Sequence, residues 1–131
     1  MNRITVDFLP TELKDGCDYV VKKGVYHFYD RYLTERFYFV SNNDCGNKKM
    51  RFFAKDKRNV SLDFSGSTLI FHGRISPFFF DNSSNIVVKN VKIEYDKPFY
   101  TAGNVIKHSD EKIELLINRE VFPYKVENGE F

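Results

Sequence analysis

A repeat of 26 residues constrains the fold of this sequence more than any other feature. Arg51-Phe52-Phe53-Ala54 matches Pro77-Phe78-Phe79-Phe80, and Asn59-Val60-Ser61-Leu62 matches Asn85-Ile86-Val87-Val88 at the same offset. A period of roughly 20 to 50 residues is typical of solenoids, in which one unit buries its apolar face by stacking on a copy of itself. The sequence therefore predicts coils of short parallel strands.

The offset also predicts which side chains lie on each other. At an inter-strand spacing of ~4.8 Å, like residues stack on like: Phe52 on Phe78, Phe53 on Phe79, Val60 on Ile86 and Leu62 on Val88. Asn59 then lies beside Asn85 in an amide ladder, and Asp63 beside Lys89 in an exposed ion pair that contributes at most ~1 kcal/mol. Asn90 interrupts the apolar alternation, and we expect it to form a left-handed corner.

The composition favours an all-β fold. The sequence holds 14 Phe and 8 Tyr, and aromatic and β-branched residues are enriched in strands. Three short strands are predicted in each of about two coils, at 50–54, 60–62 and 68–71, then at 77–80, 86–88 and 91–95. Four further strands, at 4–9, 19–22, 25–29 and 37–40, precede them, with a loop at Ser41–Asn47.

We expect one β-rich domain over residues 1–131, in three parts. Residues 1–47 form an N-terminal cap with its opening strands, residues 48–98 form the β-helix coils, and residues 99–131 begin an antiparallel β insertion. The repeat fails beyond Pro98, and antiparallel strands are predicted at 104–107, 113–117 and 124–126 with a turn at Ser109–Glu111. A helix through Ile113 and Val121 is the competing interpretation.

Charge and cysteine content exclude several classes of function. The net charge is +2, and the Lys and Arg residues are scattered among acids, which argues against a nucleic-acid partner. No apolar run approaches the roughly 20 residues that a membrane span requires, and the first residues lack the apolar core of a signal peptide, so the compartment stays undefined. Cys17 and Cys45 are predicted to be free thiols, with a disulfide between them as the alternative for an exported protein, and neither metal nor cofactor is expected.

Two segments resemble a known family of carbohydrate-active enzymes. The Phe71-His72-Gly73-Arg74 block and the run Asn85 to Pro98 are similar to the N-terminal part of glycoside hydrolase family 110, the α-1,3-galactosidases. The resemblance implies a partial right-handed parallel β-helix of the pectin-lyase-like kind. It also implies that the acids that hydrolyse the glycosidic bond lie on later coils, so no catalytic residue is assigned here.

The resemblance implies a scaffold segment of a bacterial glycosidase, inactive alone, with a galactoside-type glycan as the partner of the full-length enzyme. The alternative is a non-catalytic β-solenoid module that binds glycans or associates with itself through its open coil.

His72, Arg74 and Asp96 are the candidate substrate-binding residues. His72 and Arg74 lie at a corner between apolar strands and offer polar groups to a hydroxyl or carboxylate. The competing interpretation is that His72 bonds a corner carbonyl and Arg74 covers an aromatic edge. A glycosidase needs two convergent carboxyl groups, and the strand placement separates the remaining acids, Asp63, Asp81 and Glu94. The rings of Phe78 to Phe80 must alternate between the two faces of their strand, which favours packing over a sugar platform.

Overall fold

The computed structural model describes residues 2–10, 12–41 and 44–130, and its regular structure is β-strand apart from one 3₁₀ turn at Asp30–Tyr32. This confirms the prediction of an all-β chain. Contacts divide the chain into two compact units, Met1–Asp96 and Lys97–Phe131, which we call the first and the second unit. The strands are β1 (Asn2–Val6), β2 (Cys17–Val21), β3 (Val25–Tyr29), β4 (Glu35–Ser41), β5 (Asp44–Lys55), β6 (Arg58–His72), β7 (Ile75–Asp81) and β8 (Ser84–Tyr95) in the first unit, then β9 (Asn104–His108) and β10 (Ile113–Leu116) in the second.

Strand β6 is the centre of the first unit, because parallel strands pair with both of its edges. Along one edge, β2 pairs with its first half and β3 with its second half, and Phe28 lies opposite Phe71. Along the other edge, β8 follows both halves, and Leu62 lies opposite Val88. The register shifts once between β6 and β8, between Asp63 and Ser67, where β6 bends. Strands β2 and β3, strand β6 and strand β8 therefore form three successive parallel layers.

The second sheet of the first unit has the order β4-β5-β7. Strand β7 is parallel to β5, with Phe52 opposite Phe78 and Phe53 opposite Phe79, which confirms the register predicted from the repeat. Strand β4 is antiparallel to β5. Residues of β2 and β3 contact residues of β6 that come 43 positions later in the sequence, whereas the repeat has an offset of 26. The offset is longer because the 3₁₀ turn and β4 are inserted after β3. Because of this longer offset, the 26-residue repeat does not predict this layer.

Asparagine residues form the predicted corners. Asn59, Asn85 and Asn90 have φ angles of 55°, 53° and 55°, in the left-handed region that asparagine tolerates better than most residues. The amide ladder is confirmed: Asn85 Nδ2 donates to Asn59 Oδ1 at 2.7 Å. The ion pair is confirmed as well, with Lys89 Nζ 3.6 Å from Asp63 Oδ2. The corner side chains thus bond across the layers as the backbone of the strands does.

The core lies between the two sheets and consists of inward-facing residues of alternate positions. Leu62, Phe64, Leu69 and Phe71 of β6 are fully buried. Burying one such side chain contributes about 1.5–3 kcal/mol. Aromatic rings continue from layer to layer: Phe71 stacks on Phe28 with 5.1 Å between the ring centroids.

The three consecutive phenylalanines of β7 alternate as expected. Phe78 stacks on Phe52 and, with Phe80, packs against the core. Phe79 lies on Phe53 and Tyr38 on the other face of the sheet.

The prediction of a loop over Ser41–Asn47 is wrong for Ser41, the last residue of β4, and for residues 44–47. Strand β5 begins at Asp44, and Cys45 and Asn47 pair with Phe39 and Phe37 of β4. Polar turn-forming residues adopt the extended conformation here because the antiparallel partner satisfies their backbone groups. Asn42 and Asn43 lie outside the described residues. Both cysteines are free, Cys17 buried and Cys45 exposed.

The second unit contains one antiparallel hairpin, β9 and β10, as predicted, and the competing helix is wrong. Its turn is closed by the Ser109 N–H, which donates to the Lys112 carbonyl at 2.8 Å. The strand predicted at Tyr124–Val126 is wrong, because within the described residues no second strand pairs with this segment. Only an isolated bridge between Glu127 and Glu130 follows it.

Candidate functional site

The parallel register brings distant polar side chains together at one end of the layers. Tyr29, the last residue of β3, lies opposite His72, the last residue of β6. Tyr95 of β8 lies opposite Phe71, and the Asp96 N–H donates to the Phe71 carbonyl at 3.1 Å. Side chains 24 and 43 residues from His72 in sequence therefore surround it.

His72 is held on three sides. Its Nδ1 lies 3.1 Å from Asp96 Oδ2, and its Nε2 lies 2.9 Å from His27 Nδ1. Its ring stacks on Tyr29 with 4.3 Å between centroids and an angle of 8° between the planes. We call His27 and His72 the histidine pair.

The partners of the pair define its hydrogen positions. A carboxylate only accepts hydrogen bonds, so His72 Nδ1 carries a hydrogen and donates to Asp96. In the neutral pair His72 Nε2 then accepts from His27 Nδ1–H. His27 Nε2 is left as an acceptor, with no hydrogen-bond partner among the described residues. The series of hydrogen bonds from Asp96 through His72 to His27 thus ends in one nitrogen, His27 Nε2, that accepts a hydrogen bond.

The structure brings together two of the three predicted substrate-binding residues. His72 and Asp96 are in contact, whereas the exposed Arg74 forms no hydrogen bond or ion pair with either of them. Gly73 between His72 and Arg74 has a φ of 111°, and a Cβ there would lie 2.8 Å from Asp30 Oδ2. Glycine is therefore required at this bend both by the backbone conformation and by the neighbouring carboxylate.

The remaining candidate acids each have structural partners. Asp63 accepts hydrogen bonds from Asn90 Nδ2 and from the Ser65 N–H, both at 2.9 Å, and the pKa of Asp63 is lowered mainly by the Asn90 amide. Asp81 accepts from the Tyr38 hydroxyl at 2.9 Å.

That hydrogen bond to Asp81, together with burial as the larger cause, raises the pKa of Tyr38. Glu94 forms an ion pair with Lys92. These acids stabilise three separate places in the first unit.

A cavity of about 380 Å³ opens beside the histidine pair, and we call it the aromatic cavity. Its walls come from the segment before β2, from β3 and the turn that follows it, and from β4 and β5. The lining residues are Leu9, Pro10, Leu13, His27, Phe28, Tyr29, Tyr32, Leu33, Thr34, Arg36, Met50, Arg51, Phe52 and Phe53. His27 therefore belongs both to the pair and to the cavity wall.

Arg51 is the most unusual group in this wall. Its guanidinium carbon lies 5.3, 4.9 and 4.8 Å from the ring centroids of Phe8, Phe28 and Phe52. Burial lowers the pKa of Arg51, and no hydrogen bond or ion pair joins its side chain to any described residue. The rings stabilise the cation through its contact with their faces, but no described residue offers an acceptor to its five N–H donors.

Two absences concern the part of the chain that the structure describes. In the part of the chain that the structure describes, no group of three or more His, Cys, Asp or Glu side chains is arranged to hold a metal ion. No helix formed by the described residues is long and apolar enough to cross a bilayer.

Comparison with known proteins relates the chain to one enzyme family. No family model matches the chain. Alpha-1,3-galactosidase A of Shewanella woodyi is 35% identical over 88% of this chain and 19% of its own length. Alpha-1,3-galactosidase B of Bacteroides thetaiotaomicron is 31% identical over 86% of this chain and 18% of its own length. The protein of the same name from Parabacteroides distasonis is 39% identical over 78% and 16%.

This chain belongs to the α-1,3-galactosidase family. The resemblance seen in the Phe71-His72-Gly73-Arg74 block is thereby confirmed. The chain spans about a fifth of the length of the curated α-1,3-galactosidases it matches.

Sequence reasoning missed His27 and Arg51 as members of a site. The sequence pattern gives His27 no partner, because the offset of 43 residues that places β3 on β6 differs from the repeat. The signal that would have found it is the alternation Tyr26, Phe28 in β3, which corresponds to Leu69, Phe71 in β6.

Proposed function

We propose that this chain is a scaffold segment of a carbohydrate-active glycosidase that resembles the α-1,3-galactosidases, and that the catalytic acids belong to residues outside it. The observation that carries the proposal is the identity of 35% with an α-1,3-galactosidase over 88% of the chain. The acids of the first unit support it, because Asp63, Asp81 and Glu94 are each engaged by structural partners.

We also propose that the parallel layers are the opening coils of a right-handed parallel β-helix, and that residues 99–131 begin an antiparallel insertion. Three features support this. The strands of β6 and β8, and of β5 and β7, repeat in register, asparagines occupy left-handed corners, and β9 and β10 are antiparallel. Such coils would extend the ladder beyond β7 and β8.

His72, Asp96 and Arg74 are proposed to face the glycan in the full-length enzyme. Asp96 and the histidine pair offer acceptors to a sugar hydroxyl, and Arg74 is exposed one residue beyond Gly73. In this role they bind substrate and take no part in bond cleavage.

A chimaera tests the scaffold function. The matched segment of the Shewanella woodyi α-1,3-galactosidase is replaced by this chain, and release of galactose from an α-1,3-linked disaccharide is measured. We expect the chimaera to retain activity, a Leu69→Asp chimaera to lose it because the fully buried Leu69 supports the layers, and the isolated chain to show none. Turnover by the isolated chain at the rate of the relative would show that the catalytic acids lie within it.

A non-catalytic module that associates with itself is the second candidate, favoured by one observation. In the described sheets, β7 and β8 each pair on one edge only, and Val87 and Ile93 of β8 are exposed. Unpaired strand edges invite another chain. Light scattering distinguishes the candidates: a concentration-dependent dimer supports the module, and a monomer at all concentrations contradicts it.

A further inference from the structure

We propose that the aromatic cavity binds a carboxylate-bearing monosaccharide, with Arg51 as the partner of the carboxylate. The cavity volume of about 380 Å³ lies near the lower end of the roughly 300–1,000 Å³ found for ligand pockets. A site of this size accommodates one sugar ring with its substituents. The proposal concerns residues 9–53 and does not depend on the assignment of the chain to a glycosidase.

The charge of the wall selects an anion. Arg36 and Arg51 line the cavity, and none of the lining residues is an aspartate or glutamate. Arg51 has neither an acid nor a hydrogen-bond acceptor among the described residues, although burial lowers its pKa. A partly buried cation without an acceptor is costly, and a bound anion removes that cost. The planar fork of a guanidinium matches a planar carboxylate through two parallel hydrogen bonds.

The rest of the wall selects a hydroxylated ring. Tyr32 presents exposed aromatic surface beside the cavity, and aromatic faces pack against the C–H faces of a sugar. In the neutral histidine pair His27 Nε2 is an acceptor, because Nδ1–H of the same ring donates to His72, and a sugar hydroxyl is a suitable donor for it. An aliphatic carboxylate would leave this nitrogen unpaired. The combination of an unpaired guanidinium, aromatic walls and one free acceptor points to a sugar acid.

Galacturonate and galactose form the matched pair of ligands for the test, because they differ only in the carboxylate at C6. Each is titrated into the whole isotopically labelled chain, and the NMR signals of the Arg51 side chain and of the His27 ring are followed. We expect galacturonate to shift both sets of signals at millimolar concentration and galactose to bind at least about tenfold more weakly, as expected when a charged hydrogen bond is lost. Absence of shifts with galacturonate, or equal binding of the two sugars, overturns the proposal.

Substitutions then locate the site. Arg51→Gln is expected to weaken galacturonate binding by about tenfold or more, whereas Arg58→Gln removes an exposed arginine that does not line the cavity and is expected to have no effect. An equal loss in both variants would indicate nonspecific attraction and contradict the site, as would unchanged binding by Arg51→Gln. If Arg51→Gln does not fold, Arg36→Gln takes its place, and the wild-type comparison of the two sugars still decides. The chimaera experiment is independent of all these outcomes.

Discussion

Leu62 and Leu69 in the first unit have no exposed surface, whereas Leu115 and Leu116 in the second unit expose 50% and 61% of theirs. All four belong to strands rich in apolar residues. The difference comes from the neighbours, because β6 has parallel partners on both edges and a second sheet facing it, and β10 pairs only with β9 among the described strands. Apolar sequence produces a core only where a further layer covers it, and an isolated hairpin is marginally stable in water.

The largest expected effect comes from the same substitution in each unit. Leu62→Ala removes a fully buried side chain and is expected to lower the free energy of unfolding of the first unit by about 2–5 kcal/mol. Leu115→Ala removes a half-exposed side chain and is expected to change the free energy of unfolding of the second unit by less than about 0.5 kcal/mol. Urea denaturation followed by tyrosine fluorescence measures both. Equal losses would show that the second unit has a core of its own and would remove the contrast.

A smaller difference in stability is expected when a left-handed asparagine is replaced by alanine in each unit. Asn85 and Asn128 both have a φ of 53°, but only the Asn85 amide donates across the layers. Asn85→Ala is expected to destabilise the first unit by about 1–3 kcal/mol, from the lost hydrogen bond and the left-handed backbone. Asn128→Ala is expected to leave that transition unchanged.

Asn85→Gly divides the cost of the first substitution into its two causes. Glycine adopts the left-handed conformation without strain, so the loss that remains reports the hydrogen bond to Asn59. Complete recovery in Asn85→Gly would show that the amide ladder contributes no stability.

The smallest expected effect is the loss of stability of the first unit at low pH. The pKa of Asp63 is lowered in the folded chain, mainly by the Asn90 amide and then by the Ser65 N–H. A lowered folded pKa stabilises the fold above the unfolded value of about 3.9, and this contribution is lost as the pH falls through the folded pKa. We therefore expect the first unit of the wild type to lose stability below about pH 4, and Asp63→Asn to lose less over the same range.

Lys89→Ala is the control for the ion pair at this corner. The Lys89 charge contributes less to the lowered pKa than the two hydrogen bonds do, so this variant is expected to keep most of the acid dependence. If Lys89→Ala abolished the acid dependence, the Lys89 charge and not the Asn90 amide would be the main stabilising partner of Asp63.

The sequence predicted the parts of the fold that depend on local repetition. The stacking of Phe52 on Phe78 and the bond between Asn59 and Asn85 follow from an offset that is constant along the chain. The layer of β2 and β3 was not predicted, because an insertion changes its offset, and no local pattern reveals which strand a distant segment will join. Strand β5 began earlier than predicted for a related reason, since pairing with β4 overrides the turn preference of Asn47.

The candidate site was predicted only in part. His72 was identified from its place at a corner and Asp96 was named as a further candidate, and the structure brings the two into contact. Arg51 was seen only as a repeat position, because its environment depends on Phe8 and Phe28, which come from segments far away in sequence. Unpaired charges of this kind become visible only once the tertiary packing is known.

The segment between β3 and β5, which we call the excursion, contains the 3₁₀ turn and β4. It leaves the pairing of β3 with β6 intact. Val25 to Tyr29 still lie opposite Thr68 to His72, although a 3₁₀ turn and β4 intervene. Segments at this bend are consequently free to grow or shrink during evolution without disturbing the ladder. Binding surfaces such as the aromatic cavity, which are built from the excursion itself, are then the features expected to diverge first among homologues.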